Sequence, residues 1–274
     1  MSVQAIAELE AQVRRVVEQA PSALMSWDDV TRGSGRFDLA SKVAPLSLRF
    51  GALEYNHSTI REWRLCVPAM LSLHHPRPLI VESTREERNR ATSLLNSVAL
   101  RFALSMPRGQ ARILFLDPFD GKSVESALKD NKHFAHSKVV SFGRPSTVVN
   151  WLADNAGETS LLVVCNTPLE DEAEEDDDCL FAFKESELAQ LVKYLASPTC
   201  RALALLTLES QDPLHPLRIA IEDGSLRATR VHLTNGSVDL STRYEFAPPS
   251  PLFTPDQSPA SDIAKDLLAR AGLL

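Results

Sequence analysis

Short, fully apolar runs alternate with helical segments from residue 78 to residue 208. The runs "PLIVE", "ARILFLD", "KVVSF", "SLLVVCN" and "RALALLTL" predict five strands. Between them lie a long amphipathic helix and the shorter helical patterns "SVESALKD", "STVVNWLADNA" and "ESELAQLVKYLAS". Continuous apolar strands separated by helices indicate a sheet that is covered on both faces. We therefore predict an α/β fold: a three-layer sandwich with a mostly parallel central sheet.

The flanking segments extend this domain. "LSLRFGALEY" alternates like a half-buried strand, and residues 218 to 246 predict a C-terminal β-hairpin turning at Asn235-Gly236. Residues 26 to 45 and the Pro-rich residues 248 to 260 have linker composition. Helical periodicity predicts an amphipathic arm at the N-terminus and a capped helix at the C-terminus. The expected organisation is residues 1–45 (helix and linker), 46–247 (α/β domain) and 248–274 (linker and helix).

Charge and cysteine usage restrict the class of protein. The 274-residue chain has a formal net charge of −7, which disfavours direct nucleic-acid binding by the chain alone. The 4 cysteines are far apart in sequence, which indicates reduced thiols and neither a zinc site nor a disulfide framework. No apolar run approaches the roughly 20 residues of a membrane span. We expect a cytoplasmic protein without membrane contact.

Residues 113 to 130, "ILFLDPFDGKSVESALKD", raise the question of a phosphate-binding loop. Gly121, Lys122 and Ser123 follow a strand and precede a helix, as in the pattern G-x-x-x-x-G-K-[ST]. The first glycine of that pattern is replaced by Leu116, and Asp117 and Asp120 place negative charge in the loop. A turn at Gly121 with Ser123 capping the next helix is the favoured interpretation. Asp117 is the best single candidate for a ligand-facing carboxylate, with loop capping as its simpler role.

The order of segments resembles a known family. "LRFGALEY", "VPAMLSL", "PLIVES", "LRFALSMPRGQARILFLDPFDG", "LLVVCNTP" and "CRALALLTLES" are similar to the motor domain of FtsK/SpoIIIE-type DNA translocases, over residues 46 to 210. The resemblance implies a P-loop NTPase-like fold. It also places the phosphate loop after "PLIVE", where residues 81–91 contain no glycine and no lysine. The Walker B acid would fall at Asn166, an uncharged side chain. Both nucleotide motifs are therefore missing where the resemblance predicts them.

Three other groups of polar residues are potential binding sites. The acidic insertion 170–178 has no glycine turn, so a solvated loop contacting a basic partner is favoured over a metal site. Arg85, Arg88, Arg90 and Arg101 interleave with Glu82, Glu86 and Glu87, which favours a charged surface helix over a phosphate contact. The adjacent His74 and His75 diverge too much to chelate a metal ion together.

These observations predict a non-catalytic, FtsK-like domain, a pseudo-ATPase without cofactor or metal. It would bind proteins as a subunit of a bacterial DNA-handling, translocase or phage-defence complex, possible partners being translocase or nuclease subunits. The N-terminal arm, the C-terminal helix and the acidic insertion are the expected partner surfaces. Two alternatives stay open: an ATP-binding enzyme that uses residues 116–123, and a regulatory nucleotide or anion binder without hydrolysis.

Overall fold

The computed structural model describes residues 25–31, 44–56, 64–107, 110, 112–117, 140–173, 179–234, 237–241 and 251–270, with residues 8, 11 and 12. The helices in this part of the chain are α1 (Trp27–Thr31), α2 (Arg88–Ser105), α3 (Pro145–Asp154), α4 (Glu170–Ala173), α5 (Glu185–Leu195), α6 (Pro216–Glu222) and α7 (Ser261–Arg270). The strands are β1 (Ser47–Asn56), β2 (Arg64–Ser72), β3 (Leu79–Ser83), β4 (Ile113–Leu116), β5 (Val140–Phe142), β6 (Ser160–Val164), β7 (Ala202–Leu208), β8 (Thr229–Thr234), β9 (Ser237–Ser241) and β10 (Leu252–Pro255).

The main sheet has seven strands in the order β5-β4-β6-β7-β3-β8-β9. Six of them run parallel, and only β9 is antiparallel, to β8. Apolar side chains of α3, α5 and α6 cover one face, and those of α2 cover the other. The predicted α/β sandwich with a mostly parallel sheet is therefore confirmed. The predicted hairpin is also present, since Thr234 pairs with Ser237, and its first strand extends the main sheet beside β3.

The helix α2 is buried on its outer face as well as on the face that the sequence predicts. A second sheet, in the order β10-β1-β2, packs over it and places Leu48, Phe50 and Leu71 in the same core as α2. The polar side chains of Ser97 and Arg101 are consequently fully buried. This outer layer explains why α2 combines polar residues with almost complete burial.

Two segments that we predicted to be linkers belong to the fold. In residues 26 to 45, α1 buries Trp27, whose Nε1 donates a 2.7 Å hydrogen bond to Ser97 Oγ. In the Pro-rich segment, β10 pairs antiparallel with β1, and the Phe253 ring lies 5.3 Å from that of Phe50. One bulky apolar residue, Trp27 or Phe253, anchors each segment to the core. The high content of Gly, Ser and Pro around these residues favoured the linker prediction. The linker predictions are therefore wrong for residues 27–31 and 252–255.

The C-terminal helix α7 also packs on the body of the protein. Its Ala264 and Leu267 are buried in the same core as α2, while Ile263 is exposed. Part of the helix that we expected to contact a partner therefore packs on the domain itself. The predicted N-terminal arm lies outside the described residues except for isolated positions.

Candidate functional site

The carboxyl ends of four parallel strands lie side by side at one edge of the main sheet. The strands β4, β6, β7 and β3 are consecutive neighbours in the sheet. They lead into Asp117, Asn166, Glu209 and Thr84, respectively. Because sheets of this class bind ligands at this edge, it is the candidate functional site.

At this edge, β3 passes into helical structure almost without a loop. Thr84 alone separates the strand from a 3-10 turn, Arg85–Glu87, which continues directly into α2. A phosphate-binding loop needs several consecutive residues, usually with glycine, whose backbone N–H groups wrap the phosphates. The single-residue connection provides no such loop.

Acidic side chains follow β3, at the position where the resemblance expects a phosphate loop. Glu86 is exposed, and Glu87 lies 3.6 Å from Arg90. The neighbouring Thr84 side chain and the Glu86 backbone lower the pKa of the Glu86 carboxyl, so this group is ionised at neutral pH. Its charge would repel a phosphate. The residues that follow β3 thus add negative charge to this position.

An ion pair joins the start of α2 to the residue that follows β7. Arg88 donates hydrogen bonds of 2.7 Å from Nε to Glu209 Oε1 and of 2.7 Å from Nη2 to Glu209 Oε2. Both side chains are largely buried, with exposed fractions of 21% and 11%. This two-bond geometry is the strong form of an arginine–carboxylate pair. It ties the start of α2 to the end of β7.

Asn166 occupies the position that the resemblance assigns to a metal-binding acid. Its backbone φ is 130°, a conformation that strains a residue with a side chain. The side chain is buried, and its Oδ1 accepts a 2.8 Å hydrogen bond from the Thr167 backbone N–H. The amide is therefore engaged within its own turn and carries no charge to hold Mg²⁺.

His215 supports this turn and is a residue that the sequence reasoning missed. Its side chain is fully buried, and Nε2 donates a 3.0 Å hydrogen bond to the Thr167 carbonyl oxygen. Thr167 Oγ1 also lies 3.4 Å from the carbonyl oxygen of Thr207 in β7. The only sequence signal was a histidine before Pro216, the first residue of α6.

Part of the predicted nucleotide set lies outside the described residues. Asp117 is half-buried directly after β4, and Gly121, Lys122 and Ser123 belong to the undescribed residues 118–139. The acidic insertion begins as α4, with Glu170 and Asp171 exposed, and residues 174–178 are not described. A bridge between Leu169 and Phe183 holds the two flanks of this insertion together beside the end of β6. The involvement of Gly121, Lys122, Ser123 and Asp117 in nucleotide binding stays a prediction.

The predicted charged surface helix is only partly correct. Arg90 and Glu87 form the expected pair on one helical surface. Arg88 instead reaches across to β7, and Arg101 is fully buried under Trp27, 4.3 Å from its ring. Glu82 pairs with two arginines, Arg218 and Arg230, and its Oε2 lies 3.5 Å from His232 Nδ1. These pairs join distant segments, which sequence spacing does not reveal.

Among the described residues, no group of three or more His, Cys, Asp or Glu side chains is placed to hold a metal ion. In the same part of the chain, no helix combines the length and apolarity needed to cross a membrane.

The fold of this chain is similar to several solved structures, although the sequence identities are low. No protein-family model matches the chain, and no curated protein matches it. The structure is similar to the cytoplasmic domain of the Thermomonospora curvata type VII secretion ATPase EccC, with TM-score 0.47 and 10% identity over 77% of this chain and 26% of EccC. For EssC (ATPases 2 and 3) from Geobacillus thermodenitrificans the TM-score is 0.49 with 10% identity, covering 85% of this chain and 50% of that one.

A third similar structure is the pCW3 conjugation coupling protein TcpA, in its monomer form with ATPγS. The TM-score is 0.49 with 8% identity, covering 92% of this chain and 75% of TcpA. This chain spans about a quarter of the EccC chain and half of the EssC chain.

Proposed function

We propose that this chain is a non-catalytic, FtsK-like domain that acts by binding other proteins. It would serve as a subunit of a bacterial DNA-handling, translocase or phage-defence complex, with a translocase or nuclease subunit as the expected kind of partner. The net charge of −7 favours protein partners over direct nucleic-acid contact.

One observation carries this proposal. At the end of β3, the chain enters helical structure after a single residue, and the Arg88–Glu209 pair joins the start of α2 to β7. The position where the resemblance expects a phosphate loop is thus occupied by protein side chains. The engaged, uncharged Asn166 supports the same conclusion.

Steady-state ATP hydrolysis by the purified chain tests the proposal. We expect a rate no higher than that of buffer, and no change in the Lys122→Ala variant. Hydrolysis that disappears in Lys122→Ala would make residues 116–123 a divergent phosphate loop and would contradict the proposal. Thermal melting of both proteins provides the control that the variant is folded.

A further inference from the structure

A cavity of about 520 Å³ lies at the opposite edge of the main sheet, where β3 and β7 begin. Its wall includes five side chains that are cationic or become so on protonation: His74, His75, Arg77, Arg201 and Arg227. All five are exposed. Among the residues that the structure describes, no aspartate or glutamate lines this cavity, which we call the arginine cavity. Its charge is opposite to that of the protein as a whole.

The arginines of this cavity differ from others in the protein. Arg49, Arg88, Arg90, Arg101, Arg112, Arg218 and Arg230 each have a carboxylate within 4.0 Å. Within the described residues, no such ion pair involves Arg77, Arg201 or Arg227. Arg201 is oriented by a 3.5 Å contact from Nη1 to the carbonyl oxygen of His74. Three guanidinium groups are therefore collected in one concave surface without an anionic partner.

The neighbouring protein groups do not neutralise this charge. The helix α5 ends at Leu195 beside the cavity, and a helix C-terminus contributes roughly half a negative charge. Asp223 lies in the adjoining groove, where it accepts a 2.8 Å hydrogen bond from the Ser225 backbone N–H. That hydrogen bond lowers the pKa of the Asp223 carboxyl, so it adds one charge outside the cavity wall. Most of the positive charge remains available to a ligand.

The adjoining groove is mostly apolar, with Glu185, Lys193 and Asp223 also in its lining, and it is continuous with the arginine cavity. It has a volume of about 460 Å³, contains Val192, Leu214 and Ile219, and shares Ala196, Ser197 and Ser225 with the cavity. A ligand could thus place an anionic group among the arginines and an uncharged part in the groove. Both volumes lie in the roughly 300–1,000 Å³ range of small-molecule sites.

We propose that the arginine cavity binds a small phosphorylated molecule of about nucleotide size without Mg²⁺. The planar guanidinium fork matches phosphate oxygens in two-bond geometry, and three such groups can replace a metal ion in balancing the charge. The adjoining groove favours an organic phosphate over inorganic phosphate. This inference is independent of the proposed function, because the cavity and the candidate site lie at opposite edges of the sheet.

Titration calorimetry in EDTA tests this inference with the full chain and three probes: ATP, pyrophosphate and adenosine. We expect ATP and pyrophosphate to bind with dissociation constants of roughly 1 mM or tighter, and adenosine not to bind. Replacing two arginines, Arg77→Gln with Arg227→Gln, should weaken ATP binding by about tenfold or more, since each guanidinium makes charge-assisted hydrogen bonds.

Arg85→Gln is the matched control, because Arg85 is exposed at the other edge of the sheet. It should leave the affinity unchanged, as should Lys122→Ala. Binding of neither ATP nor pyrophosphate, or binding that the double variant does not weaken, would overturn the inference. A single-stranded oligonucleotide that binds through these arginines while ATP and pyrophosphate do not would also overturn it, in favour of a nucleic-acid surface.

Discussion

The guanidinium of Arg88 and the carboxylate of Glu209 meet through two hydrogen bonds of 2.7 Å at the carboxyl edge of the main sheet. Arg88 begins α2, and Glu209 directly follows β7, so the pair connects segments 121 residues apart. A guanidinium that is satisfied in this way is not available to a phosphate. The relationship therefore bears on both the stability and the function of this edge.

Breaking the pair should destabilise the protein. We expect Arg88→Met to lower the free energy of unfolding by about 1–3 kcal/mol, because it leaves the largely buried Glu209 carboxylate without this partner. Urea denaturation measures the loss. Arg90→Met is the control, since the 3.6 Å contact of Arg90 with Glu87 on one helical surface should contribute less than about 0.5 kcal/mol. Equal losses in the two variants would contradict this account.

Arg101 should be among the residues most important for stability. Its buried guanidinium donates to the Met25 carbonyl oxygen at 2.7 Å and to Asp256 Oδ2 at 3.1 Å, and it lies under the Trp27 ring. We expect Arg101→Ala to cost about 3–5 kcal/mol, because it leaves the Met25 carbonyl oxygen without this donor, leaves Asp256 with Arg49 as a cationic partner, and opens a cavity. Limited proteolysis should cut the variant faster near α1 and β10. A loss below about 1 kcal/mol would contradict the assignment.

The same residue predicts a specific pH dependence. Burial lowers the pKa of the Arg101 guanidinium to about 10. Below pH 10 the group is protonated in the folded and the unfolded chain, so it contributes no pH dependence between roughly pH 6 and 9. Above pH 10 the unfolded chain holds this proton more tightly. The stability of the wild type relative to Arg101→Met should therefore rise as the pH is raised above 10, as measured by parallel urea titrations.

Gly51 should tolerate no side chain, because β10 lies directly against it. A Cβ atom at this position would be 2.5 Å from Phe253 Cε2 and 2.6 Å from the Thr254 carbonyl oxygen. We expect Gly51→Ala to cost about 1–3 kcal/mol by displacing β10. At Gly157 a Cβ would meet nothing within 4 Å, so Gly157→Ala should stay within about 0.5 kcal/mol of wild type. Hydrogen exchange in β1 should increase only in the Gly51 variant.

Because the backbone at Asn166 is strained, glycine should be better tolerated there than alanine, the reverse of the order expected within a helix. With φ at 130°, Asn166→Gly should be less destabilising than Asn166→Ala by about 1 kcal/mol, because glycine relieves the strain that alanine retains. Asn150 is an exposed residue within α3, where alanine should be favoured over glycine by about 0.5–1 kcal/mol. Thermal or urea unfolding of the four variants gives both orders. The same order at both positions would contradict the assigned strain.

The sequence predicted the elements of the main sheet because each has a strong local pattern. The fully apolar β6 and β7 and the periodic α2 required no tertiary information. The outer sheet was not predicted, since Phe253 lies in a Pro-rich segment and pairs with β1 about 200 residues earlier in the chain. The lack of glycine and lysine after β3 was readable from the sequence. The partners of Arg88 and Arg101 were not, because they depend on strand order and on contacts distant in sequence.

Titration calorimetry with ATP in the presence and absence of Mg²⁺ tests the central claim most directly. The Lys122→Ala variant accompanies the wild type, because Lys122 belongs to the only segment with a remnant of the phosphate-loop pattern. We predict that Mg²⁺ adds nothing to ATP binding and that Lys122→Ala leaves the titration unchanged. Tight binding that requires Mg²⁺ and disappears in Lys122→Ala would contradict the account and show a working nucleotide site at residues 116–123.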